Sequence, residues 1–252
     1  MKKLYFLLLA LGAGLGAASA QTTPSDLWKL NSGFGYTRGS YGLNTDTEVW
    51  FVPFGIAADD PGWAFSASTS YLTIKGPAAA VNGIEIIRPT AQAESGLGDT
   101  VLSGSWKALH EAGQLQVALT GKVKLPTADY GKGLGTGGTD YTLQVDLLEN
   151  LGTVTPFGSA GYRWLGSHGV YQLTDGAFAD AGLAFKVEDG TSVGAFYEWD
   201  AKIAHGAADA SQVTAFFFHK FDQRWSVNFY ALAGFTDASP NWGGGFSLLF
   251  AL

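Results

Sequence analysis

Apolar and polar residues alternate along most of the chain, and the alternation is strictest in residues 114–125. Leu115, Val117 and Leu119 fall on one set of positions, and Gln116 and Lys122 fall on the other. Because side chains alternate between the two faces of a β-strand, this segment has one apolar face and one polar face. The pattern predicts a strand in the wall of a barrel that is apolar outside and polar inside.

Segments with the same alternation recur from Trp28 to the end of the sequence. Each is about 9 to 11 residues long, which is the length of a tilted transmembrane strand. We therefore predict an all-β fold, a transmembrane antiparallel up-and-down β-barrel of about 12 strands. The predicted strands are residues 27–37, 47–56, 63–74, 99–109, 114–125, 140–148, 154–165, 177–187, 192–202, 212–221, 225–235 and 241–252.

The connections between these segments alternate between short and long. Outer-membrane barrels have short periplasmic turns and longer extracellular loops, so both ends of the barrel domain are expected on the short-turn side. The connection 75–98 contains Ile84, Ile86 and Ile87, and is expected to hold a small hairpin or a segment folded into the pore. The other long connections are 39–46, 126–139, 166–176 and 204–210, and the short ones are 59–62, 110–113, 149–152, 188–190 and 222–224.

Charged residues fall mainly on one face of each predicted strand. A charge on the lipid-facing side costs about 2 to 4 kcal/mol at the bilayer midplane, so this face is assigned to the lumen. His219 is an exception on the outward face and is expected near the membrane interface. The lumen-facing candidates are Lys122, Lys124, Gln144, Asp146, Arg163, Phe178, Asp180, Lys186, Phe196, Glu198, Phe218 and Lys220.

Tryptophan residues recur near the ends of the predicted strands. Amphipathic rings prefer the headgroup layer of a membrane, so this placement favours a spanning barrel. The residues concerned are Trp28, Trp63, Trp164, Trp225 and Trp242.

The predicted lumen combines charges of both signs with aromatic rings such as Phe178, Phe196 and Phe218. Its opposite charges are expected to brace the wall through ion pairs or, as the alternative, to select an ion. A barrel of about 12 strands leaves an intermediate, partly occluded bore. Inward aromatic rings in such a bore favour a small aromatic or amphipathic solute.

The N-terminus has the features of an export signal. Lys2 and Lys3 precede an apolar stretch over residues 4–15, and Ala18 and Ala20 fit a small-residue cleavage site. We predict a signal peptide over residues 1–20, cleaved after Ala20, and a barrel domain over residues 21–252 in the outer membrane. A single transmembrane anchor is the alternative, but the stretch is shorter than the roughly 20 residues needed to span.

Composition excludes several classes of protein. There is no cysteine, which rules out a disulfide scaffold and an N-terminal lipoprotein anchor. The formal charge of −7 argues against nucleic acid as a partner. The four histidines, His110, His168, His205 and His219, have no ligand spacing, so neither a metal nor another cofactor is expected.

Enzymatic motifs are weak in this sequence. The segment from Gly133 to Gly137 is rich in glycine, but no Lys-Ser or Lys-Thr pair follows it, as a phosphate-binding loop would need. Ser167 and His168 could suggest a serine hydrolase like the outer-membrane phospholipases, yet the sequence shows no nucleophile motif or placed acidic partner for them. We therefore expect a protein that is not an enzyme, and rank lipid hydrolysis third among the functions considered.

The last predicted strand has Trp242, Phe246, Leu248, Phe250 and Leu252 on one face. This resembles the terminal signal by which outer-membrane proteins are recognised by the barrel-assembly machinery, although such proteins usually end in an aromatic residue. The expected partners are therefore outer-membrane lipid, the assembly machinery and a small solute. A soluble β-sandwich would need polar outward faces, which this strand lacks.

Three motifs in the middle of the chain support a closer comparison. The motifs are Gly96-Leu97-Gly98-Asp99, Lys122-Val123-Lys124-Leu125-Pro126-Thr127 and Gly133-Leu134-Gly135-Thr136-Gly137-Gly138-Thr139-Asp140-Tyr141. These motifs resemble the outer-membrane transporter family linked to phenol degradation by the meta pathway, most clearly over residues 96–165. The resemblance implies a mid-sized barrel for uptake of hydrophobic or aromatic compounds. A structural or surface-interaction barrel without transport is the alternative function.

Overall fold

The structure is a computed structural model, and it describes residues 28–81, 84–87, 91–109, 115–169, 172–204 and 207–252. The predicted signal peptide and its cleavage site lie outside the described residues. Within these ranges, no helix is long and apolar enough to span a membrane.

Twelve of the strands formed by the described residues close into one antiparallel ring, which confirms the predicted barrel. Consecutive wall strands are paired neighbours. The wall strands are β1 (Trp28–Gly39), β2 (Thr47–Asp59), β3 (Trp63–Lys75), β7 (Thr100–Leu109), β8 (Leu115–Leu125), β9 (Asp140–Glu149), β10 (Val154–Trp164), β11 (Gly176–Glu188), β12 (Thr191–Asp200), β13 (Ala210–Lys220), β14 (Trp225–Gly234) and β15 (Trp242–Ala251). Three short strands belong to the long connection after β3: β4 (Ala78–Val81), β5 (Ile84–Ile87) and β6 (Glu94–Leu97).

The ring closes where the first wall strand meets the last. β1 pairs with β15 from Lys29 opposite Ala251 to Arg38 opposite Trp242. The backbone N–H of Leu252 also donates to the carbonyl of Trp28 at 2.9 Å. Both ends of the barrel therefore lie at the end of the ring that carries the short connections, as predicted. We call this the short-turn end, and the opposite one the long-loop end.

The connection after β3 contains the hairpin that the isoleucine pattern suggested. β4 and β5 pair with each other, and β6 then returns to the barrel wall. β6 pairs with β3 between Tyr71 and Ile74, whereas β7 pairs with β3 between Trp63 and Ser68. β6 and β7 thus occupy one place in the wall as two pieces, separated at Gly98 and Asp99.

The outer surface of the ring is apolar between two aromatic girdles. At the short-turn end, Trp63 lies 6.4 Å from Trp106 between ring centroids. At the long-loop end, Tyr36 lies 4.3 Å from Trp50 and 5.2 Å from Trp242. Aromatic girdles around an apolar band are the exterior of a transmembrane barrel.

His219, the predicted polar exception on this surface, lies near the short-turn end of β13. Its Nδ1 is 2.8 Å from the hydroxyl of Thr191, and its ring makes an edge contact with Phe221. The imidazole therefore has a polar partner and sits beside an aromatic ring, as expected at the interface.

Two aspartates shape the short turns. Asp222 accepts hydrogen bonds from the backbone N–H groups of Trp225 and Arg224, and Asp60 accepts the same pair of bonds from Trp63 and Gly62. These donors favour the ionised carboxylates and lower the pKa of both aspartates. The stabilisation of the turns is present at neutral pH and is lost as the pH falls through the lowered pKa values.

The outward face gives a direct test of membrane insertion. Val145 lies in the middle of β9 with its side chain exposed, and we expect Val145→Arg to destabilise the folded barrel in lipid by about 2–4 kcal/mol. Tyr141→Arg, at the long-loop end of the same strand and face, should cost about 0–1 kcal/mol. Urea unfolding in lipid vesicles measures both values, and equal costs at the two depths would contradict the membrane placement.

Candidate lumen site

An apolar cluster crosses the mouth of the barrel at the long-loop end. Leu134, in the connection between β8 and β9, is only 1% exposed and packs into a cluster with Val49 of β2 and Ile74 of β3. Leu165 and Ile203, which follow β10 and β12, complete it from other parts of the ring. Residues 126–139, which we call the cap loop, therefore fold over the bore rather than away from it.

The glycines of the cap loop permit this fold. Asp129 caps a short 3₁₀ turn over Tyr130–Lys132, and Gly133 leaves the turn in the left-handed conformation with φ of 69°. A Cβ at Gly138 would lie 2.0 Å from the carbonyl oxygen of Gly166, in the next long loop. The glycine-rich motif therefore has a structural explanation as a close contact between two loops.

Three buried charged residues fasten the cap loop to the wall. Lys124 Nζ lies 2.7 Å from Asp140 Oδ2 and 3.3 Å from Asp99 Oδ2. Asp99 also accepts from the backbone N–H of Ala128 at 3.0 Å, and Lys124 bonds the hydroxyl of Thr136 at 2.5 Å. This anchor cluster of Asp99, Lys124 and Asp140 joins the break in the wall between β6 and β7 to both ends of the cap loop.

A layer of polar side chains lies deeper in the barrel, on strands β8 to β12. We call Lys122, Gln144, Asp146, Asp180 and Glu198 the polar layer. Electrostatic interactions link Lys122 with Asp146 and Asp180, and Asp180 with Glu198. The layer contains one lysine and three carboxyl groups, so acceptor groups predominate in it.

Hydrogen bonds hold each carboxylate of the polar layer in place. Asp146 accepts from Thr120 Oγ1 at 2.6 Å and from the amide of Gln144. Asp180 accepts from the backbone N–H of Ser159 at 3.1 Å and from the hydroxyl of the same residue. Glu198 accepts from Gln212 Nε2 at 2.7 Å. The carboxylates are therefore fixed acceptors rather than mobile charges.

An ion pair braces the wall on the long-loop side of the polar layer. Arg163 of β10 lies 2.7 Å from Asp200 of β12, and its guanidinium carbon is 4.4 Å from the ring centroid of Phe178 on β11. Three consecutive strands are thus tied by one side chain. Here the bracing role expected for opposite charges in the lumen is the arrangement observed.

Aromatic side chains form a second layer on the short-turn side of the polar layer. The rings of Phe157, Phe196 and Phe216 lie 6.0–6.4 Å apart between centroids. Tyr230 packs with them, and Phe51 reaches this group from β2 while also touching the apolar cluster at the mouth. We call these five residues the aromatic layer. Apolar side chains therefore line the bore from the cap loop to mid-barrel, where they border the polar layer.

The short-turn end carries a separate charged group. Asp59 accepts from Lys29 Nζ at 2.9 Å and from Lys107 Nζ, and all three side chains are buried. Lys107 also donates to the carbonyl of Asp60. Two cations share one carboxylate, which ties β1, β2 and β7 together.

The predicted lumen residues divide into three groups in the structure. Lys122, Gln144, Asp146, Asp180 and Glu198 come together as the polar layer. The remaining buried candidates are Lys124 in the anchor cluster, Arg163 with Phe178 in the brace, Phe196 in the aromatic layer, and Phe218, one inward position beyond Phe216 on β13. Lys186 and Lys220 lie apart from these groups, near the short-turn end, where Lys186 pairs with Asp189 of the adjacent turn at 2.5 Å.

Sequence reasoning did not select several residues that shape the bore. Leu134, Asp99 and Asp140 lie in a loop or at a strand boundary, where alternation gives no signal. Phe51 belongs to residues 49–58 of β2, which are apolar on both faces, so no charge close to it in the sequence marks its inward side. Among the described residues, no three His, Asp or Glu side chains converge to hold a metal ion.

Solved structures share this architecture at low sequence identity. An outer-membrane channel from Pseudomonas putida F1 has a TM-score of 0.76 and 11% identity, over 95% of this chain and 100% of that channel. The KdgM porin has a TM-score of 0.55 and 6% identity, over 89% of this chain and 99% of the porin. The CymD monoaromatic hydrocarbon channel has a TM-score of 0.52 and 8% identity, over 90% and 89% of the two chains. These likenesses establish the fold alone.

Sequence comparison is more specific than the shared fold. No curated protein matches the chain. One family does: the sequence model described as "Putative MetA-pathway of phenol degradation" matches residues 17–252. The match takes in every strand of the barrel, and this chain therefore belongs to that family.

Proposed function

We propose that the protein is an outer-membrane channel through which small hydrophobic or aromatic solutes diffuse into the cell. The observation that carries this proposal is the mixed lining of the bore, in which the aromatic layer and the apolar mouth border a fixed polar layer. A small aromatic molecule with a polar substituent can place its ring against the aromatic side chains and the substituent against the polar layer. Buried phenylalanine side chains at mid-barrel are not expected in a purely aqueous pore.

The comparisons are consistent with this class of solute. The description of the family refers to phenol degradation, and one structural neighbour is named as a channel for monoaromatic hydrocarbons. Neither identifies the solute of this chain. The proposal therefore extends to neutral aromatic and other small hydrophobic compounds as a class.

The experiment measures solute entry into proteoliposomes whose membrane contains lipopolysaccharide, which slows hydrophobic solutes. We expect the barrel to accelerate entry of a small phenol more than entry of a sugar of similar size. Phe196→Ala should at least halve that preference, because it removes one ring of the aromatic layer. Tyr197→Ala is the matched control, since Tyr197 is the next residue on β12 and points outward.

Heat-modifiable migration on a gel verifies that each variant is folded. A folded barrel that accelerates neither solute would favour the structural or surface-interaction role. Faster entry of the sugar than of the phenol would indicate an aqueous pore and contradict the proposal.

A further inference from the structure

Lys122 is a buried cation without a direct partner. Its side chain points into the barrel from β8, the residue is 8% exposed, and its Nζ has no hydrogen-bond partner. The carboxylates of Asp146 and Asp180 act on it electrostatically, but neither forms an ion pair with it within the described residues. A buried ammonium group without a hydrogen bond is costly, so this arrangement calls for an explanation.

An unused acceptor lies on the neighbouring strand. The amide nitrogen of Gln144 donates to Asp146, while its Oε1 is buried and accepts nothing. In the register of β8 and β9, Lys122 pairs with Thr142 and Thr120 pairs with Gln144, so the two side chains are diagonal neighbours on the inward face. A donor and an acceptor are therefore left open beside each other.

One chemical group can bond both the open donor of Lys122 and the open acceptor of Gln144. A hydroxyl accepts through its oxygen and donates through its hydrogen, whereas an ether or a carbonyl only accepts. A carboxylate would accept from Lys122 but would face the carboxyl groups of Asp146, Asp180 and Glu198, which are themselves hydrogen-bond acceptors. The polar layer therefore matches a neutral hydroxyl group better than an anion.

An aromatic ring lies within reach of that group, because a Cβ at Gly161 would lie 2.6 Å from Cζ of Phe178 and 2.8 Å from Cβ of Gln144. Phe157 is one inward position from Ser159, the partner of Asp180, and Phe196 is one inward position from Glu198. Two residues along a strand span roughly 6.6 Å, so the aromatic layer borders the carboxyl groups of the polar layer, while the ring of Phe178 lies beside Gln144.

We propose that Lys122 and Gln144 are specificity-determining residues that bind the hydroxyl group of a neutral hydroxylated aromatic solute. Lys122 donates to the oxygen of the solute, and the hydroxyl hydrogen is donated to Gln144 Oε1 or to a carboxylate beside it. This inference rests on the proposed function, since it specifies the solute of the same bore.

The test measures binding rather than transport. The full barrel in detergent is titrated with 4-fluorophenol, fluorobenzene and 4-fluorobenzoate, and binding is followed by ¹⁹F NMR. Lys122→Met keeps the length of the side chain and removes the donor. Lys122→Met breaks no hydrogen bond of the barrel, and heat-modifiable migration on a gel verifies that it folds. Lys202→Met is the matched control, since Lys202 is an exposed lysine in the loop after β12.

The wild type and Lys202→Met should bind 4-fluorophenol at least tenfold more tightly than fluorobenzene, with no saturable binding of 4-fluorobenzoate. Lys122→Met should lose about tenfold in affinity for 4-fluorophenol and none for fluorobenzene, as expected for one charge-assisted hydrogen bond. Gln144→Leu, tested in the same way, should also lower the affinity for the phenol alone.

The outcomes separate this inference from the proposed function. An unchanged preference for 4-fluorophenol in Lys122→Met would overturn the role of Lys122, while entry of aromatic solutes would still stand. Tighter binding of 4-fluorobenzoate than of 4-fluorophenol would identify an anion site instead. If no aromatic probe binds the folded wild type, and proteoliposomes also show no entry of a phenol, the proposed function itself fails.

Discussion

Lys124→Met is expected to lower the free energy of unfolding by about 3–5 kcal/mol, the cost of removing one partner from a buried charged group. Lys124 is the single cation between Asp99 and Asp140 in the anchor cluster, and all three side chains are buried. Its loss leaves two carboxylates facing each other away from water. Urea unfolding of the barrel in lipid, followed by tryptophan fluorescence, measures the change.

An exposed ion pair at the same end of the barrel provides the control. Arg38 lies 2.7 Å from Asp46, and both side chains are more than two-fifths exposed. Arg38→Met should destabilise the barrel far less than Lys124→Met, because water screens the exposed pair. If Lys124→Met were no more destabilising than Arg38→Met, the anchor cluster would not hold the cap loop.

Leu134→Ala is expected to raise the flux of small solutes at least tenfold by loosening the cap loop. The leucine fills the centre of the apolar cluster at the mouth, and a Leu→Ala change at a buried site costs about 2–5 kcal/mol. Because the loss falls on a loop, it favours local opening more than global unfolding. Lowering the free energy of the open form by about 1.4 kcal/mol relative to the closed form raises its population about tenfold. Conductance in planar bilayers measures this change.

Leu151→Ala is the matched control for that measurement. Leu151 lies in a short turn at the opposite end of the barrel and is mostly exposed. Its truncation should leave conductance unchanged. Wild-type conductance in Leu134→Ala would mean that the cap loop is not the barrier at the mouth.

The ring of strands could be predicted because each strand meets lipid on one side. That requirement acts on every second residue. The spacing of Leu143, Val145 and Leu147 therefore predicts a wall strand from one short stretch of sequence. Predicted strand ends fall within three residues of the observed ends for the same reason.

The interior could be predicted only where its side chains are polar. Lys122 and Glu198 stand out from apolar neighbours, but Phe51 and Phe216 do not, because apolar residues lie on both sides of them in the sequence. The position of Leu134 depends on contacts with β2 and β3 and with the loops after β10 and β12. Such contacts join distant parts of the chain, so the local periodicity of apolar residues does not predict them.

The seam between β1 and β15 affects how the molecule forms. Ten pairs of residues join strands from opposite ends of the chain, and until they meet, each strand presents an open edge of unpaired N–H and C=O groups. Contacts of such wide sequence separation form late and slowly. During biogenesis the nascent barrel therefore passes through an unclosed sheet that must be shielded from self-association, and sealing the seam ends that exposure.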